Sequence, residues 1–162
     1  MTRAQVLAGV RAGLKAVSTP RFFETERGYQ GALLAQLAWH LKLPNQVIAE
    51  QEYQKQAGRH NLTIRPDIII HAPFDPQQHA DRTEGNIAVI ELKRQATAAQ
   101  AAEDFASIGL MLDVLHYPLG IFINIDATRT WFETVPEPLR DRVVCFAVAL
   151  RSGSVAVLEE GL

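Results

Sequence analysis

The sequence predicts an α/β protein in which helices flank one mixed β-sheet. Three observations carry that prediction. Short runs rich in Ile and Val cluster between residues 46 and 93, a long helical pattern at 97–117 leads from them into the apolar run GIFINI, and two more such runs close the chain around a tight turn. The resulting order, α-β-β-β-α-β followed by a β-hairpin, buries its apolar faces only if helices pack on a sheet.

The elements follow in order. Residues 2–18 place Val6, Val10, Leu14 and Val17 at helical spacing, and Ser18-Thr19-Pro20 then punctuates the chain. A second helix is expected from about Thr25 to Leu41, with Leu33, Leu34, Leu37 and Leu41 as its apolar stripe and Pro44 beyond its end. QVIAEQEYQ (46–54) and TIRPDIII (63–70) read as strands joined through KQAGRHN into a hairpin. The polar stretch HAPFDPQQHADRTEGN, which carries His71 and His79, reads as a mobile loop leading into the strand IAVIELK. TAAQAAEDFASIGLMLDVLHY (97–117) is the clearest helix; Pro118 and Gly120 end it, and GIFINI (120–125) is the next strand. VVCFAVAL and SVAVLEE flank Arg151-Ser152-Gly153 as a closing hairpin. No repeat or long linker divides the 162 residues, so a single domain spanning 1–162 is expected, long enough to bury a substantial core.

Composition narrows the function classes. Hydrophobic residues at 48 % and charged residues at 21 % are ordinary for a globular protein. The net charge of −2 gives no global signal for nucleic acid, although the sixteen Lys and Arg residues leave room for a basic patch on one face. Cys145 is the only cysteine, so no internal disulfide forms, and its apolar run predicts a buried, inert thiol. No apolar stretch approaches the roughly 20 residues of a membrane span. Arg3, Arg11 and Lys15 interrupt the N-terminal helix where a signal peptide needs a continuous apolar core, so a cytoplasmic protein is expected.

Charges inside two apolar strands raise the functional question. Asp67 opens one strand after Pro66, and Glu91 and Lys93 end the next. Burying a charge without a partner costs several kcal/mol or more, so strand charges call for an explanation. Side chains alternate along a strand, which puts Glu91 and Lys93 on one face and Ile90 and Leu92 on the other. If the strands are neighbours, two carboxylates and an ammonium converge at one end of the sheet. Close carboxylates repel unless one protonates or a cation neutralises them. An oxygen-only set with open positions suits Mg²⁺, and an adjacent lysine can hold or help deprotonate an attacking water and balance phosphate charge. The chemistry this arrangement predicts is metal-assisted phosphodiester hydrolysis. The plainer alternative is a surface salt-bridge cluster worth about 0–1 kcal/mol. Because the charges add repulsion rather than packing, Asp67→Ala is expected to be neutral or mildly stabilising without metal.

In this context Pro66-Asp67 followed by Glu91-Leu92-Lys93 resembles the PD-(D/E)XK nuclease superfamily, which includes the restriction endonucleases. The resemblance covers residues 25–125 and implies a restriction-endonuclease-like α-β-β-β-α-β core. It implies Asp67, Glu91 and the Leu92 carbonyl as ligands of Mg²⁺ or Mn²⁺, and Lys93 as the residue acting on water. A glutamate from the first core helix often joins such sites. Glu26, with Gln30 one turn later on its face, fits that place better than Glu24. A first-turn glutamate also serves the helix dipole alone. Glu50 and Glu52 share a face of the first strand, as outer groups of the site or as a solvated edge, and Gln95 is a candidate contact to a phosphate or nucleotide. The implied partner is nucleic acid, DNA in the first instance, with the chain acting alone, as a homodimer, or as a nuclease-like binding or regulatory subunit of a larger restriction, repair or defence complex. No membrane partner is expected.

Other chemistries find less support. His60, His71, His79 and His116 lack zinc spacing, and Cys145 has no paired cysteine. Asp104 is read as a capping or pairing residue within its helix, without chemistry. GSV at 153–155 is a turn rather than a phosphate loop, and no helix-turn-helix or zinc finger supplies DNA specificity.

Overall fold

Thr2, Thr25 and Thr97 each stop an extended segment and start a helix. In the computed structural model, which describes residues 1–51, 65–81 and 83–161, their side chains accept from Gln5, Gly28 and Gln100 backbone N–H groups. At Thr2 and Thr97 the glutamine reaches back to the cap, completing a capping box. The helices are α1 (Arg3–Ala16), α2 (Glu26–His40) and α3 (Ala98–Val114). A 3-10 turn at Pro20–Glu24, between the first two helices in sequence, buries Phe23 edge-on against Tyr29 of α2. The expected turn at 55–61, with His60 and the neighbouring Glu52, lies outside the described residues.

Six strands form one mixed sheet in the order β1-β2-β3-β4-β5-β6. They are β1 (Ile48–Gln51), β2 (Ile68–His71), β3 (Asn86–Arg94), β4 (Gly120–Ile125), β5 (Val143–Arg151) and β6 (Ser154–Glu160). β1–β2, β2–β3 and β5–β6 pair antiparallel, whereas β3–β4 and β4–β5 pair parallel. The parallel β3–β4 pair requires a crossover, and α3 supplies it. The closing hairpin turns on two residues, Ser152 and Gly153, both at positive φ, the geometry that matches strand twist.

Both faces of the sheet are covered, so the central strands read as continuous apolar runs rather than alternating ones. One layer joins α1 and α2 to Ile68, Ile70, Ile90, Leu92, Ile121 and Ile123. The other joins α3 to Ile69, Val89, Phe122, Val143 and Cys145. Each fully buried Ile or Phe stabilises by roughly 1.5–3 kcal/mol, enough to hold the sheet without help from its charged residues. Gly120 lets α3 approach closely: a Cβ there would sit 2.4 Å from Ile108 Cγ2. Among the described residues no helix is long and apolar enough to cross a membrane.

Two segments differ from expectation. His71 is not in a loop; it ends β2, is 7 % exposed, and its Nε2 lies 2.9 Å from Glu50 Oε1. The polar composition after it hid a strand residue whose imidazole is satisfied across the β1–β2 pair. Helix α3 stops three residues before Tyr117, where His116 takes a positive φ ahead of Pro118.

Candidate active site

Asp67 precedes the first paired position of β2, Ile68 opposite Ile90, so continuing the antiparallel register sets it across from Glu91. Odd-numbered residues of these strands face α3: Ile69 and Val89 belong to that layer, while Ile68, Ile90 and Leu92 belong to the other. Asp67, Glu91 and Lys93 therefore share the α3 face, at the carboxyl end of the parallel strands. That edge is where open α/β sheets place their ligands.

The Asp67 side chain replaces a missing strand carbonyl. Its Oδ2 accepts the Leu92 N–H at 2.7 Å, and its backbone carbonyl accepts Gln30 Nε2 at 2.6 Å. Asp67 is thus half-buried and held through both its side chain and its backbone. The expectation that Asp67→Ala is neutral or mildly stabilising needs correction, because alanine would strip the acceptor from a buried N–H. In an extended strand the N–H and C=O of one residue face the same neighbour, so the Leu92 carbonyl is directed to the Asp67 side.

Glu91 is 7 % exposed, and burial, the Asp67 charge and the Asp104 charge together push its carboxyl well above the ordinary range. Burial also raises Asp67, opposed by the Leu92 N–H and reinforced by Glu26. The two cannot both ionise cheaply without a cation. Lys93 lies 3.7 Å from Glu26 Oε1, while Glu26 Oε2 accepts the Arg94 N–H at 3.1 Å. Burial would lower the Lys93 ammonium, but Asp104, Glu26, Asp67 and Glu91 outweigh it and the group is raised. Glu26 and Gln30, one helical turn apart, are thus both aimed from α2 at the strand ends carrying the acids.

Surrounding residues fix this edge. Arg94 Nε donates to the Phe23 carbonyl at 2.8 Å, and Arg94 NH2 meets Asp126 Oδ2 at 3.0 Å. Gln95, exposed and at positive φ, turns the chain towards α3, and its Nε2 donates to the same Asp126 oxygen at 2.7 Å. Asn124, 1 % exposed and paired in register with Lys93, accepts the Ala96 N–H and donates to the Arg129 carbonyl. Glu24 is exposed on the 3-10 turn, and Glu50 is engaged with His71. Cys145 is buried on β5, and burial, aided by Glu160, raises its thiol, as expected of an inert side chain.

Sequence reasoning missed Asp104. Burial raises its carboxyl to about 6; Lys93 opposes that rise, while Asp67 and Glu26 add to it. The available signal was its spacing: it falls three residues after Ala101 and four before Ile108, both buried.

The donors fit a small hard cation in one respect and fall short in another. Two adjacent carboxylates with a directed backbone carbonyl form the oxygen-only set that Mg²⁺ uses alongside several waters. Among the described residues, however, no group of three or more His, Cys, Asp or Glu side chains stands together as a metal cage. No protein-family model, no curated protein and no solved structure matches this chain.

Proposed function

We propose that this protein is a Mg²⁺- or Mn²⁺-dependent nuclease of the PD-(D/E)XK type, with a restriction-endonuclease-like core, that hydrolyses phosphodiester bonds, DNA being the first substrate to test. The observation that carries the reading is the pairing of Asp67 with Glu91 across β2 and β3, with Lys93 two residues along on the same face. The helix, antiparallel meander, crossover helix and parallel strand around that pair support it.

In this reading Asp67, Glu91 and the Leu92 carbonyl hold the ion. Bound there, Mg²⁺ supplies Lewis-acid polarisation of the phosphate. Lys93, 3.7 Å from Glu26 Oε1, acts on the attacking water and offsets charge that builds on the phosphate. Glu26 steadies the ammonium from α2, and Asp67 aligns the metal-holding strand through Leu92.

The test is a divalent-ion titration of plasmid nicking, with EDTA as control. Wild-type protein should nick only with Mg²⁺ or Mn²⁺, and Asp67→Asn should lower the rate by about 10²-fold or more, the scale of losing one catalytic group. Metal binding by calorimetry without cleavage of any duplex, single-stranded DNA or RNA would instead favour a nuclease-like binding subunit. Equal metal binding by Asp67→Asn would place the ion elsewhere.

A further inference from the structure

Asn124, the β4 partner of Lys93 in register, falls on the Phe122 face of its strand, the face turned to α3. Its buried amide joins two backbone segments: Oδ1 accepts the Ala96 N–H at 2.9 Å, and Nδ2 donates to the Arg129 carbonyl at 2.8 Å. Trp131 Nε1 donates to the Ala96 carbonyl at 2.9 Å. The loop after β4 is thus fastened to the chain just past Lys93. Gln95, Asp126 and Trp131, all at this join, hold left-handed backbone conformations without being glycine. Such conformations are costly for large side chains and persist where the surroundings over-determine them, most often at functional sites. Here they present one group. The Arg129 guanidinium lies on the Trp131 ring, 3.9 Å from its centroid, with Nη2 2.5 Å from Glu133 Oε1. The Arg129 side chain is 62 % exposed, and an ion pair so exposed adds little stability. Stability therefore does not account for the arrangement.

We infer that Arg129 is a substrate-binding residue, which takes the phosphate next to the one cleaved, on the β4 side of the acid pair. A nucleic-acid backbone crossing the sheet ends at Lys93 comes next to β4, about 4.8 Å away, and then to the loop that Asn124 anchors. Arginine carries five N–H donors in a planar fork suited to phosphate. Glu133 engages one of its nitrogens, and the Trp131 ring keeps the plane fixed before substrate arrives. Glu133 holds the place the phosphate takes. The inference rests on the nuclease reading of Asp67, Glu91 and Lys93, and it names the substrate class within that reading. The substrate is a polynucleotide whose backbone continues past the cleaved bond, not a single nucleotide.

The experiment compares Arg129→Gln and Glu133→Gln with their parent, in cleavage with Mn²⁺ and in binding of an end-labelled oligonucleotide by fluorescence anisotropy. Binding is read in the Glu91→Gln background, where the acid pair no longer repels the strand or cuts it. Arg129→Gln should weaken binding about tenfold and raise KM alike, with kcat little changed. It should also reduce the slope of log Kd against log salt by about 0.7–0.9, the signature of one lost phosphate contact. Glu133→Gln should shift binding the other way, tightening it severalfold, because the carboxylate competes with phosphate for the same guanidinium. Unchanged affinity and slope in Arg129→Gln overturn the inference, and so does weakening by both variants, which would make the pair a brace for the loop. If wild type cleaves nothing while these binding shifts hold, the nuclease reading fails and the phosphate contact stands. A parent that binds no oligonucleotide overturns both.

Discussion

Asp67→Asn should be clearly more stable than Asp67→Ala, although both remove the same charge. The asparagine keeps an oxygen where Asp67 Oδ2 accepts the Leu92 N–H at 2.7 Å, and Leu92 is fully buried. Alanine leaves that donor unpaired, which costs about 1–3 kcal/mol. A chain of this length shifts its Tm by roughly 2–4 °C per kcal/mol, so the two variants should melt about 2–12 °C apart. The charge contributes in the opposite direction. Asp67 faces Glu91, and both carboxyls are raised, so Asp67→Asn should match or exceed wild type in EDTA near neutral pH. Thermal melts followed by circular dichroism measure all three proteins under one condition. Equal midpoints for the two variants would show that Leu92 does not depend on the side chain, and an Asn midpoint below that of Ala would refute the reasoning outright.

Asp104 titrates near 6 in the fold against 3.8 ordinarily, so between those values the native state holds a proton that the unfolded chain has lost. Its contribution to stability should therefore fall as pH rises from about 4 to about 6 and then level off. Urea melts should show Asp104→Asn ahead of wild type above about pH 6, with the advantage gone near pH 4; an advantage equal at every pH contradicts this. Tyr29 is fully buried with its hydroxyl unpartnered among the described residues, so Tyr29→Phe should leave the Tm unchanged or raise it by a few degrees, and a clear drop would reveal a partner. Gly120→Ala forces a Cβ to 2.4 Å from Ile108 Cγ2 and 3.2 Å from Val143 Cγ2, and should cost about 1–3 kcal/mol in denaturant unfolding. A neutral result there would mean that α3 stands off the sheet.

The elements with clear punctuation were legible from sequence nearly to the residue. Thr25, Thr97 and the Ser152-Gly153 turn fix ends by local hydrogen bonding or backbone conformation, and local chemistry is what a sequence displays. The shared face of Glu91 and Lys93 follows from strand alternation alone. What alternation cannot supply is the neighbour: the Asp67–Leu92 bond and the reach of Glu26 to Lys93 depend on register and on where α2 sits over the sheet end. His71 was misread because its polar surroundings outweighed a single strand residue, and its burial is satisfied by Glu50, 21 positions away. Asp104 was expected only to cap or pair within its helix, although Ala101 and Ile108 bracket it on the inward stripe. Only the packing of Phe105 against Phe122, the register partner of Glu91, places that turn of the helix over the end of β3.

Lys93 gives the most direct test of the central claim, because neither core packing nor metal binding requires it. Wild type, Lys93→Ala and Lys93→Arg should be compared for nicking of supercoiled plasmid and cleavage of single strands, with Mn²⁺ binding and Tm measured on the same preparations. Lys93→Ala should keep its fold and its ion while cleavage falls by about 10²-fold or more, and arginine should restore little, since its planar guanidinium cannot place a compact donor on the same water. Unchanged cleavage in Lys93→Ala, or full activity with arginine, would contradict the account and leave Lys93 as an ion-pair partner of Glu26.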